Sequence, residues 1–412
     1  MTDGLDGSEV RYGPLRRVRI ETTMHRGQPF FVLVDPLQLH PEGGMVVSIA
    51  ARGVLLALDE ARTVAELQRL AAEYDGYALD PAVVLELVRT MEDLYLLEGA
   101  KAAGVLDAKR AAFRALPERR PSSAGRAYPD DPEELDALLR EYVDEAAAQF
   151  GKIAPVTARG VVSPHIDYGR GGPVYAQAWL AAAESLREAE LVVVFGTDHA
   201  GGPLFTLTRQ HYATPFGRLE TDRAVVDALA EVIGESAYAA ELHHINEHSL
   251  ELVLVWLHWL RRESPPRVVP ILTGSLDPFM VNGQQPHDDA TIEGVVRVLR
   301  EVAAGQKTVF IASGDLAHLG PVFNTDGLDA ESRQALAVTD QAFMAQIAAG
   351  DAQGMFEFVK AEADARQVCG TAPFYYLLRA LGETEGTVLA YAQCPADEVG
   401  ESWVSIAGAV LG

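Results

Sequence analysis

Leu191-Val192-Val193-Val194-Phe195-Gly196-Thr197-Asp198-His199 reads as a buried strand that runs into a polar turn and ends on a histidine. Its β-branched and aromatic residues suit a strand rather than a helix. Two other segments have the same form: Val161-Val162-Ser163-Pro164-His165 and Val309-Phe310-Ile311-Ala312-Ser313-Gly314-Asp315-Leu316-Ala317-His318. From Thr157 onward such strands alternate with helical patterns, with further strand candidates at Arg267–Leu272 and Thr387–Tyr391. That alternation predicts an α/β fold whose central sheet is covered by helices on both faces. In an open α/β sheet, side chains just beyond the strand ends line the crevice where ligands bind. Three imidazoles brought there by three strands predict a metal or acid–base site.

The 412 residues favour more than one domain. A net charge of −25 argues against binding nucleic acid or an anionic membrane, which needs clustered Lys and Arg. Residues 1–121 carry 15 Lys and Arg against 18 Asp and Glu, whereas the rest of the chain carries a net −22, so two parts with different surfaces are expected. There is no apolar run of membrane-spanning length, and Met1-Thr2-Asp3-Gly4-Leu5-Asp6 has neither the basic nor the apolar region of a signal peptide. With only Cys369 and Cys394, no disulfide framework is expected, and a reducing cytoplasm is the consistent compartment.

Residues 1–101 are expected to form a small α+β unit of winged-helix-like content. Phe30–Asp35 and Met45–Ile49 read as strands, and Ala50–Leu58, Val64–Tyr74 and Pro81–Leu97 as helices. Thr63-Val64-Ala65-Glu66 has the capping-box form, and Asp80-Pro81 places a cap before a first-turn proline. Residues 102–121 read as a linker with some helical character, and residues 122–412 as the α/β domain.

Several polar residues stand where chemistry is expected. A Gly-rich turn, Gly169–Pro173, follows His165. His243-His244-Ile245-Asn246-Glu247-His248-Ser249-Leu250-Glu251 opens an apolar helix that could turn His248 toward the crevice as an acid–base group. His244 and His248 are four apart, but the glutamate beside the second histidine does not match a zinc-protease HExxH motif. His243, His244 and His258 read as ordinary polar residues. Asp315 and His318 share a tight turn, where a carboxylate can set the tautomer of an imidazole, although Asp315 equally suits a helix N-cap. Cys369 precedes an apolar helix and is either a buried structural thiol or a soft metal ligand. A Walker A loop, a GxSxG elbow, a CxxC pair and a Rossmann glycine fingerprint are all missing, so nucleotide-dependent chemistry is not expected.

Two resemblances sharpen these expectations. Residues 58–99 loosely resemble the PqqD-like winged helices that accompany radical SAM enzymes, which implies a unit that binds such an enzyme or a peptide. From about Ser123 to the C-terminus the chain resembles the Memo family, protein B of the AmmeMemoRadiSam group and a relative of class III extradiol (LigB-type) dioxygenases. The motifs are Ala124–Pro129, Ser163-Pro164-His165, Gly196–His199, Thr214–Gly217, Glu247–Glu251, Val269–Gly274, Ser313–His318 and Cys369-Gly370. This resemblance implies a Memo/LigB-like fold, with His165, His199 and Cys369 at metal-ligand positions and Asp315 and His318 beside the metal. His248 would line the same cleft, so that His248 or His318 moves protons. Two histidines and an anionic ligand imply Fe(II), a thiolate also suits copper, and zinc is the weaker expectation. Where the family commonly has His-Ala-Gly-Tyr, this chain has His165-Ile166-Asp167-Tyr168, and a second histidine after His199 is replaced by Ala200. The expected function is a metal-dependent oxidoreductase acting on a small molecule or peptide. The alternatives are a non-catalytic accessory protein and a zinc hydrolase with Asp167 as base.

Overall fold

Alternation along the strands sends Val161, Val192, Val194, Val309 and Ile311 into one core and Val162, Val193, Phe195, Phe310 and Ala312 into another. Burying each such side chain is worth about 1.5–3 kcal/mol, so strands apolar on both sides need helices on both sides. The computed structural model, which describes residues 10–412, has this arrangement. Met1–Asp6, read above for a signal segment, lie outside the described residues. The chain divides into one unit ending at Ala115 and a second running from Leu116 to Gly412.

The second unit is an α/β fold around an eight-stranded mixed sheet. Its order is His318–Leu319, Trp403–Leu411, Gly160–Ser163, Thr308–Ser313, Leu191–Thr197, Arg267–Thr273 and Phe205–Leu207, with Gly386–Pro395 paired onto Trp403–Leu411. The four strands from Gly160–Ser163 to Arg267–Thr273 are parallel, and Trp403–Leu411 and Phe205–Leu207 flank them antiparallel. Helices Pro132–Phe150, Tyr168–Ala181 and His248–Leu260 cover one face. Helices Arg223–Ile233, Ala290–Gly305, Ala330–Ala348, Ala352–Ala361 and Thr371–Leu381 cover the other. Ser313 is level with both Ser163 and Gly196, so the chain leaves three parallel strands at one edge, immediately before His165, His199 and Asp315.

In the first unit, Arg19–His25, Gln28–Val34 and Gly44–Ser48 form an antiparallel sheet. Helices Arg52–Leu56, Val64–Asp75, Pro81–Asp93 and Ala100–Ala115 follow. The capping box closes as expected, with Glu66 N donating to Thr63 Oγ1 at 3.3 Å and Thr63 N to Glu66 Oε2 at 2.8 Å. The strand Arg19–His25, solvent-exposed throughout, escaped the sequence reading because its composition, RIETTMH, has no apolar alternation.

The linker expected over 102–121 takes a different form. Residues 100–115 are a helix that buries Ala102 and Phe113, and Glu118–Arg119 pairs in parallel with His211–Tyr212 inside the second unit. Arg119 is 1% exposed. Its guanidinium donates to the carbonyls of His244 (2.8 Å) and Glu247 (2.9 Å), to Ser122 Oγ (3.1 Å), and to the buried carboxylate of Glu251. Glu251 also accepts from Ser122 N (2.8 Å), Ser122 Oγ (2.9 Å), Ser123 N (2.8 Å) and Tyr128 Oη (2.6 Å). Among the described residues no helix is long and apolar enough to cross a membrane.

Removing one partner of a buried ion pair leaves the other charge uncompensated, at a cost of about 3–5 kcal/mol. Glu251→Leu is therefore expected to lower unfolding free energy by about that amount in a urea titration, whereas a double replacement of Glu251 and Arg119 by apolar residues recovers part of the loss.

Candidate metal and acid–base site

The parallel strand ends open onto a cleft of ≈ 670 Å³. His165, His199, His248, Asp315 and His318 all line it, so five of the six residues singled out from the sequence meet in one place. The ring centroids of His165 lie 5.0 Å from His199 and 5.3 Å from His248, and His199 and His248 stack at 4.7 Å. One donor atom from each of these three rings lies within 4.8 Å of the other two. Cys369, the sixth, touches the group from behind: its Sγ is 3.2 Å from His165 Nε2. His165, Asp315 and Cys369 form a second set of donors within 4.8 Å of one another. His165 belongs to both sets.

Each imidazole is held by a partner on its far side. Glu247 Oε1 is 3.0 Å from His199 Nδ1 and 3.3 Å from His248 Nδ1, and Glu247 Oε2 accepts from His199 N at 3.1 Å. Glu247 is itself fixed, because it caps the helix His248–Leu260 by accepting from Ser249 N at 2.9 Å. His165 Nδ1 is 3.5 Å from Ser313 Oγ. Asp315 is not a helix cap. It accepts from His165 N (2.8 Å) and Ile166 N (3.2 Å) and so pins the backbone of the histidine rather than its ring. Occupied Nδ1 atoms leave the Nε2 atoms as donors, the pattern of metal-binding histidines.

Close backbone approach brings Cys369 to this group. A Cβ on Gly314 would lie 2.4 Å from Gly370 Cα, and one on Gly370 would lie 2.8 Å from the Asp315 carbonyl oxygen. Only glycines allow the two loops to touch, and the contact lets Gly370 N donate to Asp315 O at 3.0 Å.

The protonation states follow from burial and from Glu247. Burial pushes His165 down to about 3, against the opposing charge of Asp315, and so keeps the ring neutral. Burial lowers His248 and His318 as well. Burial opposes the charge on His199 too, but the Glu247 carboxylate and the Cys369 thiol overcome it and raise His199 well above the usual imidazole value. The Cys369 thiol is pushed up by burial, although His199 opposes the shift. The imidazole nitrogens and the thiol beside them form a mixed N/S donor set suited to iron, copper or zinc.

His318 stands apart from both donor sets. Its Nδ1 faces the carbonyls of Leu316 and Gln367 at 3.2 Å each, leaving Nε2 as the remaining polar atom of the ring. His244 and His248 do not share a helix face, because Glu241–Ile245 is a 3-10 turn and the α-helix begins only at His248. His244 instead lies 2.6 Å from Tyr212 Oη and 3.1 Å from Thr206 O, His258 lies 2.7 Å from Thr214 Oγ1, and His243 binds Asp198 at 2.8 Å. Asp167 reaches the cleft but is paired with Arg170 at 2.6 Å, which leaves it poorly placed to act as a base. Glu247 is the residue missed from sequence. Its one available signal was its position immediately before an apolar helix, where an acidic N-cap is favoured.

A family model described as Memo-like protein matches residues 119–410. A MEMO1 family protein of Methanopyrus kandleri is 32% identical over 288 residues, covering 67% of this chain and 92% of the relative. One from Methanosarcina mazei is 28% identical over 280 residues, covering 66% and 91%. One from Aquifex aeolicus is 24% identical over 395 residues, covering 93% and 97%, so that match extends into the first unit.

Two buried histidines outside the cleft set a pH dependence. Burial pushes His244 down to about 3 and His258 to about 4. The unfolded chain takes up their protons near pH 6.5, whereas the native rings resist them, so stability falls as pH drops from about 6.5 toward 4. Each such histidine contributes a slope of about 1.4 kcal/mol per pH unit. Urea unfolding across this range is expected to show that decline, shallower by one proton in His244→Gln.

Proposed function

The chain belongs to the Memo-like family, and from that premise we propose that it is a metal-dependent oxidoreductase whose strand-end cleft holds one metal ion. His165, His199 and Cys369 are the ligands, with Fe(II) the first choice and copper the second. The observation that carries this reading is the convergence of the His165, His199 and His248 ring nitrogens within 4.8 Å, with Cys369 Sγ 3.2 Å from His165 Nε2. A bound metal would supply a Lewis-acid and redox centre at this site.

The protein's own groups divide the remaining tasks. Glu247 orients His199 and His248 together, and Asp315 fixes the loop that presents His165. His248 and His318, both lowered by burial, are neutral at physiological pH and can each accept a proton in the cleft. The thiol at Cys369 in place of a carboxylate distinguishes the site from the ring-cleaving dioxygenases that the sequence resemblance brings into view. Two free thiols, Cys369 and Cys394, fit a protein of the reducing cytoplasm.

A second reading gives the first unit a recruiting role toward a radical SAM enzyme or its peptide. It is favoured by the sheet-edge strand Arg19–His25, exposed at all seven positions, onto which an extended segment can add. Capture of such a partner by the full chain is expected to disappear when residues 10–115 are removed. Equal capture by the remaining second unit would count against this role.

Elemental analysis of anaerobically purified protein tests the metal centre. Near-stoichiometric iron or copper is expected, lost in both His165→Ala and Cys369→Ala. Glu247→Gln is expected to retain the site with about 10–100-fold weaker metal affinity in a chelator competition, because only the orienting contact is removed. Unchanged metal content in both alanine variants would refute the assignment.

A further inference from the structure

Among the described residues, the cleft wall carries an arginine that no carboxylate neutralises. Two arginines line the cleft, Arg126 and Arg170. Arg170 is committed, with Nε 2.6 Å from Asp167 Oδ2 and a second donor 3.1 Å from the Pro395 carbonyl. The remaining cleft carboxylate, Asp315, is occupied by two backbone N–H groups. Arg126 makes no ion pair with a carboxylate among the described residues. Its recorded hydrogen bond goes to the Ser122 carbonyl, which occupies one of five N–H donors. In a chain of net charge −25, the cleft thus keeps an arginine without an acidic partner among the described residues.

Arg126 is also placed firmly. It sits in a turn closed by Ala127 N to Ser123 O (2.8 Å) and Gly125 N to Tyr128 O (2.8 Å), with Gly125 at φ +73°. Ser122 and Ser123, at the base of this turn, are held by the buried Glu251 carboxylate. The rest of the cleft wall includes the apolar side chains of Leu252, Val322, Phe323 and Val404. A guanidinium fork beside an apolar wall recognises an oxyanion attached to an apolar body.

We propose that the cleft takes small amphipathic anions, with Arg126 binding the carboxylate or phosphate group and thereby setting substrate orientation toward the three histidines. The inference rests on reading this cleft as the substrate site but not on the presence of metal. It is therefore tested on the full chain after chelator dialysis, by calorimetry with hydrocinnamate, its neutral amide and phenyl phosphate. An anion is expected to bind about 10–100-fold tighter than the amide, as for a charge-assisted hydrogen bond. The stronger of the two anions identifies the preferred group. Arg126→Gln is expected to abolish this preference, and Arg126→Lys to keep part of it, with unchanged melting temperatures because the side chain is exposed. Equal binding of acid and amide, no binding of either anion, or a preference that survives Arg126→Gln would overturn the proposal. Metal content measured on the same variants before dialysis reports separately on the metal centre, so one assignment can fail while the other stands.

Discussion

A buried ion pair between Arg119 and Glu251 fastens the segment entering the second unit to the helix that carries His248. Burying two charges is costly unless every donor and acceptor finds a partner. Here the carboxylate collects donors from Ser122, Ser123 and Tyr128, and the guanidinium reaches the carbonyls of His244 and Glu247. These two carbonyls bracket the break between the 3-10 turn and the helix. The same contacts therefore fix where that helix begins, how Glu247 caps it, and where the turn bearing Arg126 stands.

Electrostatics in the cleft follow from that placement. Neighbouring imidazoles, His165 buried and His199 exposed, are driven to different charge states by burial and by one carboxylate. His165, without Glu247 at its ring, is held neutral by burial, whereas His199 is raised by direct contact with it. The thiol is brought to His165 by the close approach of Gly314 and Gly370, where a Cβ on Gly314 would lie 2.4 Å from Gly370 Cα. Donor atoms supplied by separate segments of the chain thus meet across a few ångströms because the parallel strands end level and the loops beyond them pack tightly.

Much of this was legible because it is local. The strands beginning at Gly160, Leu191, Arg267 and Thr308 announced themselves through apolar runs, and two helix starts through capping chemistry at Thr63 and Asp80. The strand Trp403–Leu411 was not recognised, although it pairs directly with Gly160–Ser163. Its run Ser405-Ile406-Ala407-Gly408-Ala409 mixes small residues that carry little strand signal by themselves. Residues 102–121 looked like a connection because charged residues are many and most of the apolar ones are alanine, yet Arg119 is buried through partners more than 120 positions away.

The sequence by itself determined the α/β class, the strands that end in histidines, and the identity of the chemically capable residues, since each depends on neighbours within a few positions. Only the tertiary structure decided that Glu247 holds His199 and His248 together, that Asp315 binds backbone rather than capping a helix, and that His244 belongs to the core. It also decided that Asp167 pairs with Arg170, while Arg126 has no carboxylate partner among the described residues. These outcomes depend on which donor reaches which acceptor across the folded chain. A carboxylate or an imidazole has the same formula wherever it sits, and its partners give it a role.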